Sequence, residues 1–313
     1  MNKTQFSPGL HKLVHHPEHI AKIQRGDVVG PIHISIWPAT RCQLKCAYCC
    51  FKNREGETSD APLDLPLQSF KIAVDTLCKY GLKAMEFSGG GEPMMWAHLE
   101  DGIKYAHGAG INLSLITNGL LLPNIDPEVL RLLKWVRVSI QSAKYAERVA
   151  WDAIPSPVRA SASYVVNDAS RLDEVEKIQR FAANTGVPVR ISPKRPCSQS
   201  DAEAVEAYVK CQPPLMFFGK TPGPPKACFM TWVRAAIDWN GNFITCASPE
   251  MTPEASAQTP KMHELCKVED LDRWLNENRP HDMGHRCTFC NCGKDSNDYI
   301  HGVLQEVPDV DFV

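Results

Sequence analysis

The chain has 313 residues, 43% of them hydrophobic, and a formal net charge of -2. That length buries a sizeable core, as one large domain or one plus a smaller module. A charge so balanced argues against a broad basic surface for nucleic acid or an anionic membrane, while leaving room for a local patch. The first twenty residues lack the apolar stretch of a signal peptide, and no run approaches the roughly 18 apolar residues of a membrane span. The expected setting is therefore a reducing cytoplasm, without membrane contact. There, the clustered ones among the 13 cysteines are expected to be metal ligands or catalytic groups rather than disulfides.

Residues 1–30 are expected to form a helical extension. Leu13, Val14, Ile20 and Ile23 fall at helical spacing, and Gly26 is a stop. His11, His15, His16 and His19 crowd this stretch, but Pro17 breaks the register, so they read as a solvated face. From residue 32 a βα rhythm begins. "IHISIWPAT", "KAMEFSGG", "INLSLITNG", "WVRVSIQ", "ASASYVVND" and "VPVRISPKR" read as strands. "LPLQSFKIAVDTLCKYG", "HLEDGIKYAHGAG", "DPEVLRLLK", "AKYAERVAW", "SRLDEVEKIQRFAANTG" and "SDAEAVEAYVK" read as the helices that follow them. Such alternation over short loops implies right-handed βαβ units and a parallel sheet, placed at 31–212. No G-x-G-x-x-G follows the first strand, which argues against a dinucleotide fold.

At residue 213 the texture changes. "QPPLMFFGKTPGPPKAC" reads as a linker or irregular loop. "AAIDWNGNFITCA" reads as a hairpin turning at Asn240-Gly241. "KVEDLDRWLNEN" reads as a helix, and "CTFCNC" follows. Residues 213–293 are taken as a second, small α+β module, and 294–313 as a tail without clear organisation.

Cys42, Cys46 and Cys49 are spaced C-x3-C-x2-C directly after the first strand. Active groups of parallel α/β folds gather at the carboxyl ends of strands. Three thiolates suit a cubane iron–sulfur cluster with one iron left open better than a structural zinc site, which takes four ligands. Cys50 adjoins Cys49 and is left out. One strand later comes "FSGGGEP", a glycine-rich turn that exposes backbone groups to a ligand.

C-x3-C-x-aromatic-C after strand one and a GGE-type motif after strand two, about 40 residues apart, resemble the radical S-adenosylmethionine (radical SAM) enzymes. The resemblance covers roughly residues 32–212 and implies a partial (β/α)6 TIM-type barrel. It implies that Cys42, Cys46 and Cys49 hold a [4Fe–4S] cluster whose open iron binds S-adenosylmethionine. It puts Tyr48 near the adenine, and Gly89, Gly90, Gly91 and Glu92 in the turn that holds the methionine amino group. It puts Asn118 and Ser139 at positions that hold the ribose or carboxylate; the plainer reading of Asn118 is a turn residue in "TNG". One-electron reduction by an external flavodoxin or ferredoxin would then give methionine and a 5′-deoxyadenosyl radical, which takes a hydrogen atom from substrate.

Cys228 and Cys246 flank the hairpin, and Cys287 and Cys290 form a C-x2-C. Alone, these four read equally as a zinc ribbon. Beside the barrel they resemble the Twitch or shortened SPASM domain, which implies one auxiliary [4Fe–4S] cluster, with Cys292 as a substitute ligand. Cys197 in "KRPCSQS" is a candidate hydrogen-atom donor to a product radical. Arg190, Lys194 and Arg195 are candidates to meet a carboxylate or phosphate. Met94, Met95 and Trp96 read as packing at a helix start.

The expected activity is of isomerase or oxidoreductase type: isomerisation, epimerisation, dehydrogenation or bond formation on a small or nucleotide-borne substrate. Compact members of the family also act on amino-acid-modified thymidine in phage DNA. The alternatives are a maturase of a ribosomal peptide or an enzyme of sugars and aminoglycosides. From other classes come a non-catalytic zinc-binding interaction protein and an iron–sulfur electron carrier, the latter leaving "SGGGEP" without a purpose.

Overall fold

A computed structural model describes residues 12–49, 51, 63–166, 172–194, 199–211, 214–217, 226–247, 263–284 and 294–305. Helix α1 (Pro17–Arg25) starts on a proline, whose missing N–H costs nothing at a first helical turn, and stops at left-handed Gly26. Six strands then pair in parallel and in chain order. They are β1 (His33–Ile36), β2 (Ala84–Phe87), β3 (Asn112–Thr117), β4 (Leu133–Ile140), β5 (Arg159–Val166) and β6 (Val189–Pro193). The crossovers carry α2 (Leu67–Lys79), α3 (Leu99–Gly108), α4 (Pro127–Leu130), α5 (Ala143–Ala146) and α6 (Asp173–Thr185), and α7 (Gln199–Lys210) follows β6. Their apolar stripes pack outside the sheet: Phe70, Ala73, Val74 and Leu77 of α2, and Val175, Ile178, Phe181 and Ala182 of α6, are buried at helical spacing. The architecture is the expected partial TIM-type barrel.

Both edges of the sheet go further than the sequence announces. β7 (Met216–Phe217) lies within the stretch expected to be irregular, and adds in parallel to β6. The expected hairpin is present as β8 (Arg234–Ile237) and β9 (Asn242–Ile244), with β10 (Glu264–Lys267) antiparallel beyond it. β8 also pairs in parallel with β1, His33 opposite Arg234, so the described strands form one ten-stranded sheet. α8 (Leu271–Glu277) matches the expected charged helix.

Three local expectations are corrected. α4 and α5 span four residues each instead of about nine, because Leu133 is already paired with Leu113 in the sheet and Trp151–Ala153 turns in a separate 3-10 step. The tail is not unorganised: α9 (Lys294–Leu304) runs through it. Asn, Asp and Gly give that segment weak local propensity, and distant partners hold it. Asn297 accepts from Phe229 N (2.6 Å), and Gln24 Nε2 donates to Val303 O (2.8 Å). His19, expected to be solvated, is half-buried and donates from Nε2 to the Trp232 carbonyl (2.7 Å). No helix of the described residues is long and apolar enough to cross a membrane.

The strands have two unlike faces. In β4, Val136, Val138 and Ile140 point to the helices and are fully buried, while Trp135, Arg137 and Ser139 alternate with them and point inward. The same parity puts His33 and Ser35, Glu86, Ser161 and Ser163, Arg190, and Arg234 in the barrel interior.

Candidate active site

The cysteine loop leaves the carboxyl end of β1 and is pinned at its base. Leu65 N donates to Pro38 O (2.8 Å), and Arg41 binds Asp64 Oδ2 (2.5 Å) and Met95 O (2.9 Å). The glycine turn after β2 lies against the same segment. Gly91 N donates to Ala39 O (2.5 Å) and Glu92 N to Arg41 O (2.6 Å). A Cβ on Gly91 would stand 1.9 Å from the Arg41 carbonyl oxygen. On Gly90, at φ +66°, it would stand 2.5 Å from that of Ala39. The glycines are thus needed for the close approach of two backbones, beside any ligand they meet. Trp96 is buried at the following helix start against Phe70 and Phe87, the packing role expected of it.

Glu92 is almost fully enclosed. Its Oε1 accepts from Thr117 Oγ1 (2.6 Å) and Met94 N (3.1 Å), and its Oε2 from Asn118 N (2.7 Å). Burial raises its pKa against the pull of those donors. The carboxylate therefore clamps the glycine turn to the end of β3. Asn118 sits in the turn of the plainer reading, where Oδ1 accepts from Leu120 N (2.9 Å), while Nδ2 reaches the cysteine loop at Gln43 Oε1 (3.0 Å) and Cys42 Sγ (3.9 Å).

Cys42, Cys46 and Cys49 are partly exposed and free of disulfides. Gln141, the first residue after β4, donates from Nε2 to Cys46 Sγ (3.0 Å). Tyr48 reaches over to β4, its hydroxyl on Ile140 O (3.4 Å) and in a hydrogen bond with Ser139; burial and the Cys46 thiol push its pKa upward. Tyr145 donates to Asn118 O (2.8 Å), and burial beside Glu92, Cys46 and Cys42 pushes its phenol up to about 12. Among the described residues, no three His, Cys, Asp or Glu side chains converge closely enough for a single metal ion. A cluster of several irons asks for wider spacing, since each thiolate meets a different iron. Three thiols on one loop, with amide N–H groups turned toward two of the sulfurs, fit that donor set.

Residues 38–150 match the Radical SAM superfamily. Those residues form a radical SAM domain. Over 87 residues it is 38% identical to the AdoMet-dependent heme synthase of Oleidesulfovibrio alaskensis, covering 28% of this chain and 21% of that protein. Over 106 residues it is 32% identical to the S-adenosylmethionine-dependent nucleotide dehydratase of Selenomonas ruminantium, covering 33% of this chain and 36% of that one. The chain thus matches about a fifth to a third of the length of these relatives. The crystal structure of native anSMEcpe with bound AdoMet has a similar fold, with a TM-score of 0.57 at 15% identity over 79% of this chain and 81% of that one. Radical SAM membership implies a [4Fe–4S] cluster and S-adenosylmethionine.

Several groups of this radical SAM site escaped the sequence reading. Gln141, Thr117 and Tyr145 carry no motif of their own. Arg137 and Glu86 left a usable signal, charged residues on the inward parity of β4 and β2. Ser35 Oγ (3.3 Å) and Arg234 (3.1 Å) donate to Glu86 Oε1, and Arg137 stands 3.7 Å from Oε2. Burial works against the ionised form, but Arg234, His33, Arg137 and Arg190 outweigh it and hold Glu86 down at about 2.

In the second cysteine group, Cys246 is buried and Cys228 partly so. Met283 N donates to Cys228 O (3.0 Å), so the chain departs toward residues 285–293 from beside Cys228. Thr231 Oγ1 donates to Thr245 O (3.2 Å), tying the segment after Cys228 to the one before Cys246. Cys197, Cys287, Cys290 and Cys292 lie outside the described residues, as does Arg195.

Proposed function

We propose that this radical SAM enzyme cleaves S-adenosylmethionine reductively and abstracts a hydrogen atom from a small or nucleotide-borne substrate held in the barrel. The observation that carries the reading is the meeting of the C-x3-C-x2-C loop with Asn118 and Gln141 at the carboxyl ends of the strands. Cys42, Cys46 and Cys49 would hold the cluster. Gly89, Gly90, Gly91, Asn118 and Ser139 would line the S-adenosylmethionine site, with Tyr48 beside the adenine. Bound there, cluster and S-adenosylmethionine supply one-electron cleavage of a sulfonium C–S bond, giving methionine and a 5′-deoxyadenosyl radical.

The protein's own part is positioning. Glu92 locks the glycine turn to β3, and the Gly91–Ala39 contact fixes the base of the cysteine loop. The Gln141 and Asn118 amides face sulfur and stabilise its negative charge. A nucleotide-type substrate is favoured over a peptide by the likeness to the nucleotide dehydratase of Selenomonas ruminantium and by the cationic interior described below. Cys228, Cys246, Cys287 and Cys290, with Cys292 in reserve, are proposed to hold an auxiliary cluster in a module at 213–293; the Met283–Cys228 contact supports it. Cys197 remains the proposed hydrogen-atom donor.

The test is anaerobic incubation of reconstituted protein with dithionite and S-adenosylmethionine. Release of 5′-deoxyadenosine, lost when Ser replaces Cys42, Cys46 or Cys49, is expected. A colourless protein holding zinc and no acid-labile sulfide defeats the reading. Deuterium passing from labelled candidate substrates into 5′-deoxyadenosine then identifies the substrate.

A further inference from the structure

A closed TIM barrel fills its interior with bulky branched side chains. This interior mixes a few such side chains, Trp135 and Ile116 among them, with many polar ones. The inward positions of β1, β3, β4, β5 and β6 include Ser35, Ser114, Ser139, Ser161, Ser163 and Ser192, and between them stand Arg137, Arg190 and Arg234. Space is left among them. Ser139, Ser163, Arg190 and Ser192 keep partial solvent exposure, while their outward neighbours Val138, Ala162 and Ile191 have none. Partly exposed hydroxyls and a guanidinium on the inward face suit the lining of a binding site better than a packed core.

Its charge is one-sided. Two guanidiniums meet the carboxylate of Glu86, Arg234 at 3.1 Å and Arg137 at 3.7 Å, and Arg190 acts on it through space from β6. A protein that needed only to satisfy Glu86 would use one bidentate arginine, since each additional buried cation carries its own desolvation cost. The cluster also lies beneath the cofactor site. Glu86 is the next-to-last residue of β2, just before the glycine turn, and Arg137 stands two residues before Ser139 on the same face of β4.

We propose that Arg137, Arg190 and Arg234, with the serine hydroxyls around them, bind an anionic group of the substrate, a phosphate or a carboxylate, in the barrel interior below the cysteine loop. This rests on the reading of the site as one for hydrogen abstraction. Guanidinium forks match either oxyanion in bidentate fashion, and the hydroxyls supply neutral donors at fixed positions along the strands. The anionic group anchors the substrate at depth, and the carbon to be attacked is presented upward, toward the carboxyl ends of the strands.

Isothermal titration of the anaerobically reconstituted protein, with S-adenosylmethionine present, uses inorganic pyrophosphate and succinate as probes at low salt. One of them is expected to bind, pyrophosphate assigning a phosphorylated substrate and succinate a carboxylated one. In Arg190→Gln the Kd should rise about tenfold or more, the loss of one charge-assisted bond. Ser163→Glu, which keeps all three arginines and sets a carboxylate opposite Arg190 in the β5–β6 register, should raise it at least as much. Failure of both anions to bind, or an unchanged Kd in both variants, overturns the assignment. The two readings fail separately: protein that releases 5′-deoxyadenosine but binds neither anion sinks the anion site alone. Protein that binds an anion and releases no 5′-deoxyadenosine sinks the radical reading alone.

Discussion

Gln141 donates its side-chain amide to the Cys46 sulfur at 3.0 Å. The two residues are joined only through the barrel, one on the loop after β1 and the other at the end of β4. A hydrogen bond to a cluster thiolate draws negative charge from the sulfur and raises the reduction potential. Gln141→Leu is therefore expected to move the cluster to a more negative potential while the iron content stays the same. A redox titration followed by electron paramagnetic resonance measures this, and an unmoved potential refutes it.

The glycine turn is expected to matter for the cluster before it matters for the ligand. In Gly91→Ala the new methyl carbon meets the Arg41 carbonyl group and the Thr40 backbone, which cannot swing aside as a side chain can. The cysteine loop must shift, at a cost of about 3 kcal/mol for a rigid overpacked contact. Iron and sulfide uptake on reconstitution should fall along with the melting temperature. A variant that loads iron normally and loses only affinity for S-adenosylmethionine would show that the turn serves the ligand alone.

Acid should weaken this fold through Glu86 and His33. Glu86 has its pKa depressed to about 2 by the guanidiniums, against an ordinary 4.5, so its stabilisation is complete above that ordinary value. It is lost as pH falls from about 4.5 toward 2, where the folded state too takes up the proton. His33, whose protonated form is resisted first by burial and then by Arg234, adds a loss that begins below its ordinary 6.5. Urea unfolding measured from pH 7 down to pH 3 should show a steady fall in stability. Glu86→Gln leaves buried guanidiniums without their carboxylate and should cost about 3 kcal/mol at pH 7.

The late cysteines can be separated from the early ones by what is lost. Cys228→Ser and Cys246→Ser are expected to remove the signal of one of two clusters and to stop substrate turnover, while 5′-deoxyadenosine is still released in the absence of substrate. Mössbauer spectra and product assays read the two effects. Zinc in place of iron at these positions would instead show a structural metal site.

The sequence by itself determined the local pieces. Hydrophobic periods of two and 3.6 mark six strands and most of their helices, and the cysteine spacing and glycine triplet mark two adjacent strand ends. These signals sit within a few residues of one another, which is why they survive without a structure. Only the tertiary structure decided which distant residues meet. Gln141 reaches Cys46 across 95 positions, Arg234 reaches Glu86 across 148, and β8 joins β1 after some 200 residues of intervening chain. Parity along a strand tells which side chains face inward, but not which strands are neighbours. That order is fixed by the pairing of strands across the sheet, and with it the meeting of Arg137 and Arg234 at one carboxylate.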